Sequence, residues 1–128
     1  MVKKEMLLLC VFILLFTSCD VEHAIDYYVV NAYEEPIAIN YKTLRTDITS
    51  LEIEINDTVI IYSARFVFGT VGVDYFKDEI AIDDMTVHNN DNSISIPQSA
   101  WRYEKRSKYH AEFYLIIDTT ILNSMHSE

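Results

Sequence analysis

Carboxylate and amide side chains crowd two neighbouring stretches in the middle of this chain, and oxygen ligands of this kind are what Ca²⁺ binds. Asp83, Asp84 and Asp91 supply the carboxylates, and residues 89–93 imitate the start of an EF-hand loop. The glycine and the glutamate that such a loop requires at its sixth and twelfth positions are replaced by isoleucine and alanine. We therefore predict an Asx-rich turn, with a calcium site as the weaker alternative, and no other metal or cofactor.

Two of the four histidines, His88 and His110, are the ones that could meet in a folded core, since His23 and His126 fall in the predicted tether and tail. A metal site on this pair would also need carboxylates brought alongside. The alternative is that His110 shares the polar face of its strand with Glu112 and is solvated. We favour that interpretation.

Signatures of known catalytic chemistry are absent from the sequence. It contains no G-x-S-x-G, H-E-x-x-H or C-x-x-C motif, and its two glycines, Gly69 and Gly72, are spaced wrongly for a phosphate-binding loop. We expect these glycines to serve a turn with positive φ. An enzyme, and a hydrolase in particular, is accordingly the least favoured function.

One run, WRYEKRSKYH over residues 101–110, departs from the acidic background of the chain. It gathers four basic side chains around a predicted hairpin tip: Arg102, Lys105, Arg106 and Lys108. Together they could form a docking patch for an anionic partner such as an acidic sugar, a lipid head group or a protein surface. Alternatively, they are solvated charges that keep an edge strand from pairing with other chains.

Nine tyrosines and one tryptophan raise the hypothesis of a carbohydrate-binding platform built from exposed rings. Trp101 and Tyr109 fall on the inward side of their strands, so we expect them in the core. Tyr33, Tyr75 and Tyr114 are the candidates for surface rings. The competing interpretation is that they pack within the sheets, as strand aromatics usually do.

The N-terminal segment has the features of an export signal. Lys3 and Lys4 precede an unbroken apolar run over residues 6–16, and small residues then lead to Cys19. This run is shorter than the roughly 20 residues that a helix needs to cross a bilayer. We therefore predict a signal peptide over residues 1–18 and not a transmembrane span.

The four residues FTSC at positions 16–19 resemble the lipobox of bacterial lipoproteins. That resemblance implies that Cys19 becomes the first residue of the mature chain and is acylated, for example with palmitate, which anchors the protein in a bacterial membrane. An ordinary secretory signal followed by a free cysteine is the alternative. Asp20 fits either inner-membrane retention or surface export, and the expected location is the outer membrane, facing the periplasm or the surface.

The chain also resembles, in pattern, a class of small uncharacterised Gram-negative lipoproteins. The shared pattern is a lipobox, a tyrosine-rich first strand (here DYYVVN), a late tryptophan (here SAWRYE) and a terminal strand ending in an acid (here YHAEFYLIID). This resemblance implies a β-sandwich fold and an envelope location. It implies no activity.

Charge and length limit the partners and the size of the fold. The full chain has a net charge of −10, and without residues 1–18 it has eight basic and nineteen acidic residues, a net charge of −11. Such a surface is repelled by nucleic acid and by anionic lipid. We therefore predict no nucleic-acid partner, and membrane attachment through the acyl chains. The 110 residues from Cys19 onward suit one domain.

Short strands of alternating polarity fill the chain after the signal, beginning with residues 26–31. Residues 51–55 are the clearest case, because Leu51, Ile53 and Ile55 are expected to point inward and the two glutamates between them to face water. The Asn56-Asp57 pair behind them predicts a tight hairpin turn that leads to a strand over residues 59–63, since both residue types tolerate positive φ. Within a later strand the alternation shifts at Asp83–Asp84, which predicts a β-bulge.

The C-terminal third is predicted to form one hairpin over residues 101–117, followed by a helical turn that Asp118 or Thr119 caps. In all, about seven short strands predict an all-β fold: an antiparallel β-sandwich, or alternatively a small β-barrel, preceded by an N-terminal signal helix. The predicted parts are a signal peptide (1–18), a lipidated cysteine and short tether (19–25), one sandwich domain (26–123) and a tail (124–128).

These features favour a non-enzymatic binding or accessory lipoprotein of the cell envelope. Its predicted partners are the membrane, through the N-terminal lipid, and an envelope protein or a glycan. The alternative is an envelope assembly or inhibitor protein that covers a protein partner through the basic hairpin or an exposed strand edge.

Overall fold

The structure is a computed structural model that describes residues 21–89 and 92–124. The predicted signal peptide, Cys19, Asp91 and the C-terminal tail from residue 125 lie outside the described residues. Eight strands run along the described chain: β1 (Glu22–Asn31), β2 (Ile37–Thr43), β3 (Thr49–Ile53), β4 (Thr58–Val67), β5 (Ile82–Asn89), β6 (Asn92–Ser95), β7 (Arg102–Ser107) and β8 (His110–Ile117). Three short helical segments accompany them: the 3-10 turns η1 (Val73–Phe76) and η2 (Gln98–Ala100), and the helix α1 (Thr119–Ser124).

The strands form two separate four-stranded sheets with their apolar faces together. Sheet A has the order β4-β1-β8-β7, and sheet B has the order β3-β2-β5-β6. The predicted sandwich is therefore confirmed, and neither sheet closes on itself. The expected antiparallel arrangement is wrong at one place, because β1 and β8 pair in parallel. Alternation of polarity reports which face a side chain takes, but it carries no information on strand direction.

Alternating apolar residues from both sheets meet in one core. In sheet A, β1 contributes Tyr27 and β8 contributes Phe113, and their rings stack with centroids 4.9 Å apart. Trp101 packs edge-on against Tyr27 at 5.6 Å, as expected for an inward ring. Sheet B adds aliphatic side chains from each of its strands, including the fully buried Ile39 and Val87. The period-two pattern is thus explained by burial of one face of each sheet.

The predicted bulge in β5 is present. Asp84 has a φ of 53°, and the pairing of β2 with β5 slips between Asn40 and Lys42. Because of this slip, Ile82 and Met85 are both buried although they are three positions apart. The bulge restores the inward direction of the apolar side chains that the sequence alternation alone would have lost.

The turn after β3 has the predicted backbone but joins two sheets. Asn56 has a φ of 66°, as expected for a turn asparagine. β3 lies in sheet B and β4 in sheet A, so the connection is a crossover and not a hairpin. For the same reason Ile55, expected inward, is 43% exposed.

The buried amide of Asn31 organises this crossover from the end of β1. Its Nδ2 lies 2.9–3.2 Å from the carbonyl oxygens of Glu35, Ile53 and Glu54. Its own backbone carbonyl accepts a 2.9 Å hydrogen bond from the Asn56 amide. These contacts satisfy backbone groups that would otherwise be buried without partners where the chain leaves sheet B.

Asp118 connects β8 to the helix α1 near the end of the described chain. The Asp118 carboxylate accepts a 2.9 Å hydrogen bond from the backbone amide of Ile121, and α1 follows directly. This is the N-cap interaction predicted for Asp118, and it satisfies an amide that has no partner within the first turn of a helix.

Candidate functional site

Four charged side chains form a row across the outer face of sheet A, one from each strand. In strand order they are Arg65, Asp26, Glu112 and Arg106, and we call them the charged row. Asp26 and Glu112 face each other in the register of β1 with β8. Both acids are nearly buried, at 6% and 7% exposure, so their charges must be compensated within the face.

Asp26 is compensated from both sides. Its Oδ1 accepts hydrogen bonds from Ser63 Oγ at 2.7 Å and from Arg65 Nη1 at 2.9 Å, and His110 Nε2 lies 3.1 Å from Oδ2. Burial by itself would raise the pKa of Asp26, but the hydrogen bonds from Ser63, Arg65 and His110 outweigh it and hold the pKa below its ordinary value. Asp26 is therefore an anion at neutral pH.

Glu112 is held in the same way by the other edge of the sheet. Arg106 donates through Nε to Oε1, and the Tyr114 hydroxyl donates to Oε2 at 2.8 Å. Burial acts to raise the pKa of Glu112, and the bonds from Arg106 and Tyr114 lower it by more. Tyr114 in turn stacks on Tyr28 with ring centroids 4.9 Å apart, so rings shield the acid from water.

The side chains of the charged row bind one another across the strands and do not form an open reactive centre. Each carboxylate has a cation and a hydroxyl donor within the same face, and no buried polar side-chain atom among the described residues lacks a hydrogen-bond partner. The row therefore fixes the four strands of sheet A to one another. It was not predicted, because Asp26 and its partners Ser63, Arg65 and His110 lie on strands that are distant in sequence.

The basic residues of the hairpin are only partly available for docking. Lys105 binds Asp74 at 2.9 Å, and Arg106 is shared by Glu112 and Glu104. Arg102 is exposed, and Lys108 lies with its Nζ 5.3 Å from the centre of the Tyr109 ring. β7 is an edge strand of sheet A, so these charges stand where they discourage pairing with another chain.

The three tyrosines expected as surface rings do not form a platform. Tyr33 packs against the core, Tyr114 lies in the charged face, and Tyr75 alone is strongly exposed, at 62%. Tyr33 follows one end of β1, whereas Tyr75 lies in η1 beyond the opposite end. Tyr33 and Tyr114 are half-buried, because Tyr33 packs against the core and the Tyr114 ring stacks on Tyr28.

The histidines and acids proposed for a metal take separate places. His88 accepts or donates a 2.8 Å hydrogen bond with Asn40 in sheet B, whereas His110 lies in sheet A beside Asp26, so His110 is bound and not simply solvated. Asp83 and Asp84 are exposed at the bulge. Across residues 21–89 and 92–124, no group of three or more metal-binding side chains comes together.

His23 was placed in the tether by its position in the sequence, and that interpretation is wrong. β1 begins at Glu22, and the His23 ring is fully buried. Its Nδ1 lies 3.0 Å from the Val21 carbonyl oxygen and its Nε2 contacts the carbonyl of Val71. The ring also stacks on Phe66 at 5.3 Å.

A cleft of about 460 Å³ opens beside β4, and no sequence feature predicted it. Its floor is apolar: Ile25, Tyr27, Tyr62, Ala64, Phe66, Phe76, Ile80 and Ala81. Leu44 and Arg45 from the β2–β3 connection and Glu79 complete the lining. Arg65 contributes to the wall, but its guanidinium is held by Asp26 on the other face. The volume lies within the roughly 300–1,000 Å³ of small-molecule sites.

The polar residues of this cleft are few. Arg45 is exposed and forms no ion pair with any residue of the described chain. Tyr27 uses its hydroxyl to accept a 3.0 Å hydrogen bond from the Ala81 amide, which fixes the loop that closes one side. Residues 44, 64 and 81 are far apart in sequence, and for this reason only the folded structure brings the lining together.

No protein-family model matches this chain, and no curated protein matches it closely enough in sequence to count as a relative. Within the part of the chain that the structure describes, none of the helices has the length and apolarity required to cross a membrane. The chain is therefore characterised by its fold: an all-β sandwich of two four-stranded sheets.

Proposed function

We propose that this protein is a cell-envelope lipoprotein, anchored by acyl chains on Cys19, whose sandwich is a non-enzymatic binding module. The observation that carries the binding role is the apolar cleft beside β4. An apolar concavity with a few polar groups at its edge is the usual form of a small-molecule site. The anchor is supported by the order of charged start, apolar run and lipobox-like FTSC in the sequence.

The ligand class follows from the lining. Tyr27, Phe66 and Phe76 offer ring surface, and aliphatic side chains fill the space between them. Such a lining suits an elongated or ring-bearing apolar body. Arg45, which stands at the rim without an ion-pair partner among the described residues, suits an acidic group at the end of that body. Glu79, also at the rim, limits how much negative charge the site tolerates.

The ligand site is tested with cis-parinaric acid, a fluorescent fatty acid, titrated into the purified protein. Ala64→Trp places an indole in the cleft and should abolish the rise in fluorescence, whereas Ile55→Trp adds the same group on an exposed crossover turn away from the cleft lining and should not. Stronger binding of the acid than of its methyl ester would support a role for Arg45. Equal binding by wild type and Ala64→Trp would remove the cleft from the proposal.

The anchor is tested by the intact mass of protein purified from bacterial envelopes. Wild type should carry the mass of the acyl modification and begin at Cys19. Cys19→Ala should lack it and leave the membrane fraction, whereas Cys10→Ala, in the predicted signal, should behave as wild type. An unmodified wild-type chain would contradict the proposed anchor.

A protein partner is the second candidate, and the free edge of β4 favours it. β4 is a ten-residue edge strand of sheet A, and Ile60 and Val67 are exposed on it. Long, partly apolar edges are suited to the addition of a strand from another chain. Crosslinking in envelopes from a photoreactive residue at position 60 should capture such a partner, and a matched residue at position 104 of the charged edge β7 should not.

A further inference from the structure

One end of the sandwich lies next to the attachment point of the predicted anchor. β1 begins there at Glu22, opposite Val67 at the end of β4, and Ala24 pairs with His110 at the start of β8. The loop between β4 and η1, η1 itself and the β7–β8 turn at Lys108–Tyr109 therefore gather at this end. We call this surface the tether end.

The tether end is unusually apolar for an exposed surface. Eight large apolar side chains stand exposed among the described residues, and four of them fall between positions 67 and 75: Val67, Phe68, Val71 and Tyr75. The rings of Phe68 and Tyr75 lie 5.5 Å apart, and both contact Phe76. A contiguous apolar patch of this kind usually marks a surface that meets a partner.

The loop between β4 and η1, which carries this patch, is fixed by contacts with β1 and with the β7–β8 turn. His23 contacts the Val71 carbonyl, and the Val73 amide donates a 2.7 Å hydrogen bond to the Lys108 carbonyl. Gly72 allows this approach, because a Cβ there would lie only 3.3 Å from the Lys108 oxygen. The apolar side chains are therefore presented outward by a fixed backbone, which lowers the entropy lost when they bind.

The charge of the tether end differs from that of the whole chain. Residues 67–77 and 105–109 contain four basic side chains and one acidic side chain, and Glu22 at the start of β1 adds a second acid, whereas the full chain has a net charge of −10. Lys77 and Lys108 belong to this set, and Asp74, its acid, is bound by Lys105. An anionic surface is therefore repelled less by this end than by the rest of the molecule.

We propose that the tether end rests on the bilayer, with Phe68, Val71 and Tyr75 in the head-group layer. The inference depends on the proposed anchor at Cys19. Val21 is two positions after Cys19, so the described domain begins at most about 7 Å from the residue proposed to be acylated. At that distance the nearest surface meets lipid, and it carries the aromatic and lysine side chains that suit a membrane interface. Contact at this end orients the sandwich so that β1 runs away from the membrane surface.

The test uses the full lipidated protein in vesicles of phosphatidylethanolamine and phosphatidylglycerol that carry brominated acyl chains. Phe68→Trp places a quenchable indole at the tether end, and Ile55→Trp places one at the opposite end at a position of equal exposure, 43% in both cases. Buried Trp101 contributes the same background to both variants. We expect the quenched fraction to be at least two-fold greater for Phe68→Trp.

The outcomes separate the two proposals. Flotation of both variants with the vesicles but equal quenching would overturn the contact at the tether end and leave the anchor intact. If the wild type fails to float, as Cys19→Ala is expected to fail, the proposed anchor is overturned and this inference with it. If Phe68→Trp does not fold, Tyr75→Trp in the exposed part of η1 replaces it, with the same expected result.

Discussion

Asp26 and Glu112 stand directly opposite each other in the parallel pair of β1 and β8, and both carboxylates point to the outer face of sheet A. Like charges in such a cross-strand position repel each other. Here each acid is bound by its own arginine, Arg65 on one side and Arg106 on the other. The repulsion between the two carboxylates is therefore compensated only when both edge strands, β4 and β7, are in place.

Asp26→Asn should reduce the free energy of unfolding by about 1–3 kcal/mol at neutral pH, because it weakens charge-assisted bonds in a nearly buried position. Urea denaturation measures this change. Asp47→Asn is the matched control, since Asp47 is exposed and forms no ion pair within the described residues, and it should stay within about 0.5 kcal/mol of wild type. Equal effects of both substitutions would show that the charged row adds no stability.

Acid pH should destabilise the protein through the same two carboxylates. Both have pKa values lowered by folding, so they stabilise the fold fully above the ordinary carboxyl pKa of about 4. This contribution is lost as the pH falls from there through the lowered pKa values. Unfolding free energies measured between pH 7 and pH 2 should therefore fall at the acid end, and Asp26→Asn should flatten the fall. A parallel curve for the variant would contradict this origin.

Asn31→Ala should cost about 1–3 kcal/mol, since carbonyl groups at the β3–β4 crossover lose their donor. Asn31→Asp separates hydrogen bonding from size, because it keeps the volume but places carboxylate oxygens against carbonyl oxygens. We expect it to be at least as destabilising as Asn31→Ala in thermal unfolding at neutral pH. A milder effect of the aspartate would show that packing, and not donation, is what Asn31 supplies.

His23→Leu should loosen the loop between β4 and η1 and destabilise the fold by about 1–3 kcal/mol, because the buried ring ties Val21 to Val71. Limited proteolysis should cut the loop near residues 69–72 faster than in wild type. His23→Phe keeps the stacking on Phe66 but donates no hydrogen bond, and we expect it to be cut as fast as His23→Leu. Full protection in His23→Phe would assign the role to stacking alone.

Much of the fold was predictable because it follows from local patterns. The alternation within β8, the bulge at Asp83–Asp84, the positive φ of Asn56 and the cap at Asp118 each depend on neighbouring residues in the chain. Periodicity and turn chemistry report such features directly. The sandwich followed from the number and spacing of these strands.

The candidate sites could not be predicted for the opposite reason. Arg65 reaches Asp26 across 39 positions, and His110 reaches it across 84. His23, which follows the predicted signal peptide closely in sequence, was expected in a tether, but its burial depends on the distant loop that contains Val71. Strand order and direction decide which side chains share a face, and neither can be read from alternation.

The parallel pairing of β1 with β8 has a consequence for the order in which the chain can fold. These two strands are the inner members of sheet A, yet almost the whole described chain lies between them. Contacts so remote in sequence form late and slowly. A chain that is synthesised with its N-terminus first therefore cannot complete sheet A until its final strand has been made. Until then β1 has only β4 beside it, and its other edge is open to chaperones and to aggregation.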